Sequence, residues 1–104
     1  MNAFLQYQNG DVYFRVTFPD AKRLYPKIES FVFIGRNLSD EFDADAWYFQ
    51  FVDGFARHGS VLSTDEGDRR VAVLLEKDLT DMLDLSRLIA ELESAAARRR
   101  GASA

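Results

Sequence analysis

From residue 11 to residue 18 the chain alternates, with Val12, Phe14, Val16 and Phe18 on one side and Tyr13, Arg15 and Thr17 on the other. A period of two sends successive side chains to opposite faces, so this pattern predicts a half-buried strand. Asn9-Gly10 ahead of it supplies a turn, and Pro19-Asp20 ends it, because proline has no N–H to give a ladder. Residues 20–27 read as a polar connection in which Pro26 holds Tyr25 extended. A second strand is predicted at residues 28–34, apolar on both faces at Phe31, Val32, Phe33 and Ile34, hence central and covered from both sides. Gly35-Arg36-Asn37 closes it.

Residues 39–59 support two readings. Ser39 at an N-cap, Asp40 and Glu41 in a first turn, Arg57 and His58 in a last turn and Gly59 as terminator would make one helix. Against that, five of the six residues in WYFQFV (47–52) are strong strand formers, and Asp53-Gly54 is a turn signal inside the supposed helix. The preferred reading is an extended segment at 46–52 followed by a short helix at about 53–58. Alternation along that segment points Trp47, Phe49 and Phe51 to one face and Tyr48, Gln50 and Val52 to the other.

Val61-Leu62 and the run RVAVLLE (70–76) flank a polar loop and read as a hairpin with one long arm. Asp78 at an N-cap with Asp81 three residues on predicts a short helix carrying Leu79, Met82 and Leu83. Leu85, Leu88, Ile89 and Leu92 then fall on the apolar face of an amphipathic helix. Past Leu92 no large apolar residue remains, so the helix is expected to fray near Ala97 and to leave 98–104 as a disordered, Arg- and Ala-rich tail. Strands first and helices late predict an α+β fold: a single domain over 1–97, with an antiparallel sheet of four to five strands and C-terminal helices packed on one face.

Charge changes this picture more than composition does. Residues 1–36 carry five basic and three acidic side chains and 37–97 carry five basic and fourteen acidic, while Arg98, Arg99 and Arg100 bring the total to −4. A body with surplus negative potential repels phosphate backbones and attracts cationic proteins. Nucleic acid is therefore not expected as a partner, because three arginines alone supply only a weak, salt-dependent contact. The absence of cysteine removes disulfides, thiolate catalysis and thiolate metal sites. Without a basic, apolar leader or a bilayer-length apolar run, a cytoplasmic location away from membranes is expected.

Candidate chemistry is sparse. His58 is the one histidine, and although Ser60 and Ser63 lie near it in sequence, no nucleophile-elbow pattern accompanies them. A helix-terminal histidine beside local carbonyls is the expected role. Asp40, Glu41, Asp43 and Asp45 invite a hard cation, yet aligning Asp43 and Asp45 with the first ligands of a calcium loop places Tyr48 where glycine is required. The second acidic group, Asp65, Glu66 and Asp68 around Gly67, reads as a solvated loop. The six glycines form no phosphate-binding fingerprint. Neither metal, cofactor nor catalytic residue is expected, and the protein is read as a non-enzyme.

What remains is recognition. The aromatic run reads mostly as core packing, Phe49 and Phe51 above all, but Trp47 and Tyr48 stand directly behind the acids, and indole and phenol rings are frequent anchors at interfaces. The expectation is a small acidic interaction module, inhibitor- or immunity-like or an adaptor, that meets a basic protein through Asp40, Glu41, Asp43, Asp45, Trp47 and Tyr48. Two alternatives stand beside it. One is a homo-oligomeric structural domain, a homodimer for example, pairing through residues 31–34 or the C-terminal helix; the other is a small-molecule binder with an aromatic and carboxylate pocket.

Overall fold

The structure, a computed structural model, describes residues 7–65, 67 and 69–103. Glu66 and Asp68 of the second acidic group, the first six residues and Ala104 lie outside the described residues. Four strands, β1 (Val12–Thr17), β2 (Lys27–Arg36), β3 (Ala46–Phe51) and β4 (Val71–Leu75), form one antiparallel sheet in chain order. With α1 (Val52–His58), a 3-10 helix at Glu76–Asp81 and α2 (Leu85–Ser103), this is the expected α+β fold. β2 is central, hydrogen-bonded to β1 on one side and β3 on the other, so residues 31–34 have no free edge for a second chain.

Alternation sorts the aromatics into two cores. Tyr13, Phe31, Phe33, Trp47 and Phe49 share one face with Leu79 and Met82, and Tyr7 packs against them. Their rings meet mostly edge-on, Tyr7 to Tyr13 at 4.7 Å and Tyr7 to Phe49 at 5.5 Å, the arrangement that aligns a ring's positive rim with a neighbour's negative face. The Tyr7 hydroxyl reaches the carbonyls of Leu79 (3.0 Å) and Met82 (3.2 Å), which ties the 3-10 region to this face. On the opposite face Ile34, Ala46 and Tyr48 pack with Phe55, Val61, Val71 and Leu75.

The strand-then-helix reading of 46–58 holds: β3 ends at Phe51, α1 follows without a linker, and Gly59, at φ 81°, ends it by donating its N–H to Phe55 O at 2.8 Å. Three expectations need correction. Val61 and Leu62 form a turn rather than a strand, and β4 pairs with β3, because buried Gln50 captures the Val61 N–H and the Gly59 carbonyl and pins that connection beside the sheet. The short helix expected after β4 is present as a 3-10 helix, but it spans Glu76–Asp81, so Asp78 lies inside it rather than at its cap, and Met82 and Leu83 lie beyond its end.

The third concerns the C-terminus. α2 runs through Arg98, Arg99 and Arg100 to Ser103 instead of fraying near Ala97. Ala95 is buried, and the arginines supply the hold that large apolar residues do not. Arg98 Nε donates to Arg23 O at 2.9 Å, while Arg98 and Arg23 both lie over the Phe18 ring and Arg99 over that of Tyr25. Stacked guanidinium planes dock the helix end on the connection between β1 and β2. Near its start the chain adds a bridge to the outer edge of β1, where Phe14 and Leu83 exchange N–H···O bonds of 2.8 and 2.7 Å.

Candidate functional site

Residues 37–45 join β2 to β3, and the 3-10 helix leaves β4 at the same end of the sheet, since Ala46 pairs with Leu75. Two acid-rich stretches distant in sequence, one with Asp40, Glu41 and Asp43 and one with Glu76, Asp78 and Asp81, are thereby brought to one end of the molecule. The basic residues Lys22, Arg23, Arg98 and Arg99 gather around the connection at the other end.

Asn37 and Asp45 close the base of the acidic loop. Asn37, at φ 55°, donates from Nδ2 to Asp45 Oδ1 at 2.9 Å, accepts the Ala46 N–H on Oδ1 at 2.9 Å and donates its own N–H to Ala46 O at 2.8 Å. Arg36 Nη2 reaches Asp45 Oδ2 at 2.5 Å, and its guanidinium lies 4.7 Å from the Trp47 ring centroid. The hydrogen bond from Asn37, then that from Arg36, holds the Asp45 carboxyl below its ordinary range. Asp45 is thus committed to the loop's architecture.

Asp40, Glu41 and Asp43 differ: each is exposed, and no described residue forms an ion pair with any of them. Ser39 Oγ accepts the Glu41 N–H at 3.2 Å, a local turn in place of the helix cap considered above. Trp47 and Tyr48 sit inside, 3% and 8% exposed, on opposite faces of the sheet. Their ring surface is spent on packing, so the structure does not assemble the six expected residues into one surface. Leu38 (41% exposed) and Phe42 (40%) are instead the apolar residues displayed among the carboxylates. Their signal was present in LSDEF (38–42), where two large apolar side chains interrupt a polar loop.

The other candidates fall apart spatially. His58 ends α1 against Gly67, whose place a Cβ could not share with the imidazole ring, and Ser60 Oγ is occupied by the Leu62 N–H at 3.1 Å. A cavity of about 390 Å³ lies beside Tyr7, Tyr13 and Met82, with Asp11, Asp84 and Arg87 in its lining. It contains neither His58 nor any residue of the loop 37–45. Among the described residues no three of His, Asp and Glu are grouped to hold a metal ion, and no helix is long and apolar enough to cross a membrane. No known protein family, curated protein or solved structure matches the chain.

Proposed function

We propose that this protein is a non-enzymatic interaction module that engages a basic protein, in the manner of an inhibitor or adaptor, through the acidic end of its sheet. The observation that carries the reading is the loop 37–45, where exposed Asp40, Glu41 and Asp43, ion-paired with no described residue, surround exposed Phe42 and Leu38 on a base pinned by Asn37 and Asp45. Carboxylates of one sign at one end focus potential and accelerate encounter with a cation-rich surface. Phe42 would supply the desolvated contact that charge alone does not. Trp47 acts from within, supporting Arg36 and through it Asp45. Pinning the loop lowers the ordering entropy charged on binding.

The test is retention of basic proteins from a defined panel on immobilised protein at low and at raised salt, with poly-lysine as a charge-only control. The reading expects a selected basic protein to be held more tightly than poly-lysine, and to be lost in the D40N/E41Q/D43N variant. Equal retention by that variant, or no preference over poly-lysine, would reject it.

A further inference from the structure

The two edges of the sheet are not alike. The outer edge of β1 is occupied at its middle by Leu83. β4 pairs with β3 alone, and its far side carries neither a proline nor a charged residue between Val71 and Leu75. An edge of this composition is a template for another strand.

The register of that strand follows from hydrogen-bond parity. Phe51 donates its N–H to Arg70 O at 3.4 Å, which makes Phe51 and Arg70 a bonded pair. In an antiparallel ladder bonded and non-bonded pairs alternate. Ala72 and Leu74 therefore bond to Phe49 and Trp47, whereas Val71, Val73 and Leu75 aim their N–H and C=O groups away from β3. Ala46 agrees: it faces Leu75, yet its carbonyl accepts from Asn37 on the β2 side. Among the described residues nothing takes up the outward groups of Val71, Val73 and Leu75.

We infer that β4 is a self-association edge, which pairs antiparallel with β4 of a second copy about a two-fold axis at Val73 to make one continuous eight-stranded sheet. With Val73 opposite itself, Val71 of each chain faces Leu75 of the other, and about six backbone hydrogen bonds form at two per facing pair. Centring the axis on Val71 or Leu75 instead runs the pairing off the strand, into the loop before it or the 3-10 helix after it. The strand suits its own copy in this register, since Val71 meets Leu75, Ala72 meets Leu74 and Val73 meets itself, with no like charges opposed inside the strand. Arg69 would oppose Lys77, but its guanidinium is turned back on the Val61 and Thr64 carbonyls and on Asp65. Val73, 37% exposed, gains cover from its own copy. This inference is independent of the acidic-loop reading, whose residues lie outside β4.

The test exploits the absence of cysteine. Facing residues of a bonded pair have Cα atoms about 5.5 Å apart, within disulfide range. V73C is expected to oxidise to a covalent dimer, while L75C and V71C, displaced from the axis, are not. Sedimentation of the unaltered chain across the micromolar range is expected to show a monomer–dimer equilibrium. V73K places like charges at the axis on an already exposed side chain, and is expected to give a cooperatively folded monomer. A wild-type chain that stays monomeric at every concentration, a V73K variant that still dimerises, or cross-linking at L75C or V71C in preference to V73C would each overturn the inference.

Discussion

Asn37 and Asp45 are mutually dependent: the amide donates to the carboxylate at 2.9 Å while its own oxygen holds the Ala46 N–H, and the left-handed backbone at Asn37 is what aims it at both. Asparagine tolerates that conformation better than most L residues. Asn37→Ala removes both side-chain bonds and keeps the Cβ, and is expected to cost about 1–2 kcal/mol. Asn37→Gly loses the same bonds without the conformational penalty, and its loss should be smaller. Midpoints of urea unfolding at unchanged m report the order.

Acid sensitivity follows from two carboxylates. Asp20 is held below its ordinary range chiefly by the Leu24 N–H (2.8 Å) and also by that of Tyr25 (3.0 Å); Asp45 is held there by Asn37 and Arg36. A depressed folded-state pKa means that the unfolded chain binds protons first as pH falls. Their contribution is therefore full above the unfolded carboxylate value, about 3.9, and disappears as pH drops through the lower folded values. The thermal midpoint is expected to fall more steeply with acid in the native chain than in a D20N/D45N variant, which a melting series from neutral pH to below pH ~4 would measure.

Gln50 is the buried polar residue of the sheet, 1% exposed, with Nε2 donating to Gly59 O at 3.1 Å and Oε1 accepting from Val61 N at 2.9 Å. Gln50→Leu keeps the volume and orphans both backbone groups, for an expected loss of about 1–3 kcal/mol. Gln50→Glu keeps the acceptor but loses the donor and buries a charge, so its deficit should shrink as the carboxyl protonates in mild acid. Equal deficits for the Glu variant at neutral and acid pH would contradict this account.

β1 was legible as a strand from its alternation, but its buried face was not, since Tyr13 on the polar side is buried and Val12 on the apolar side is exposed; β2 was legible from the apolar run at Phe31, Val32, Phe33 and Ile34, which is buried throughout. The switch from β3 to α1 was legible because Asp53-Gly54 breaks a run of strand formers. The partner of Val71–Leu75 was not: a short apolar run says that a strand is buried, not beside which neighbour, and the deciding bonds come from Gln50, far upstream in the chain. The hold on the end of α2 escaped for another reason, since hydrophobic periodicity does not register guanidinium groups stacked on Phe18 and Tyr25. At the candidate site the acids were legible as charge. The aromatic run was legible as mostly core; what alternation left open was whether Trp47 and Tyr48, on opposite faces, were both covered.

Gly35 follows the irregularity in the β2–β3 register, at φ 149°, and an added Cβ there would come within 2.9 Å of Leu38 Cδ2. Two costs are separable. Leu38 is 41% exposed and its side-chain tip has room to turn away, whereas the backbone angle is one that L residues rarely adopt. Gly35→Ala is expected to cost about 1–3 kcal/mol, with little recovered by Leu38→Ala in the double variant. Substantial recovery would locate the cost in crowding and not in the backbone.

The acidic loop makes opposite demands on stability and binding. Asp40, Glu41 and Asp43 repel one another and pair with no described residue, so D40N/E41Q/D43N should leave unfolding free energy within about 0.5 kcal/mol of the native chain or raise it slightly. Phe42, 40% exposed, should likewise tolerate Ala at small cost. Binding to the basic partner should separate the two variants by salt. The carboxylate variant should bind weakly with a flattened dependence on ionic strength, because the screened attraction is what it lacks. F42A should keep the native salt slope and lose affinity at every salt concentration, mainly through faster dissociation. Titration calorimetry with kinetic traces at two ionic strengths distinguishes these patterns; a carboxylate variant that unfolds early would mean that the loop's charges serve the fold and not a partner.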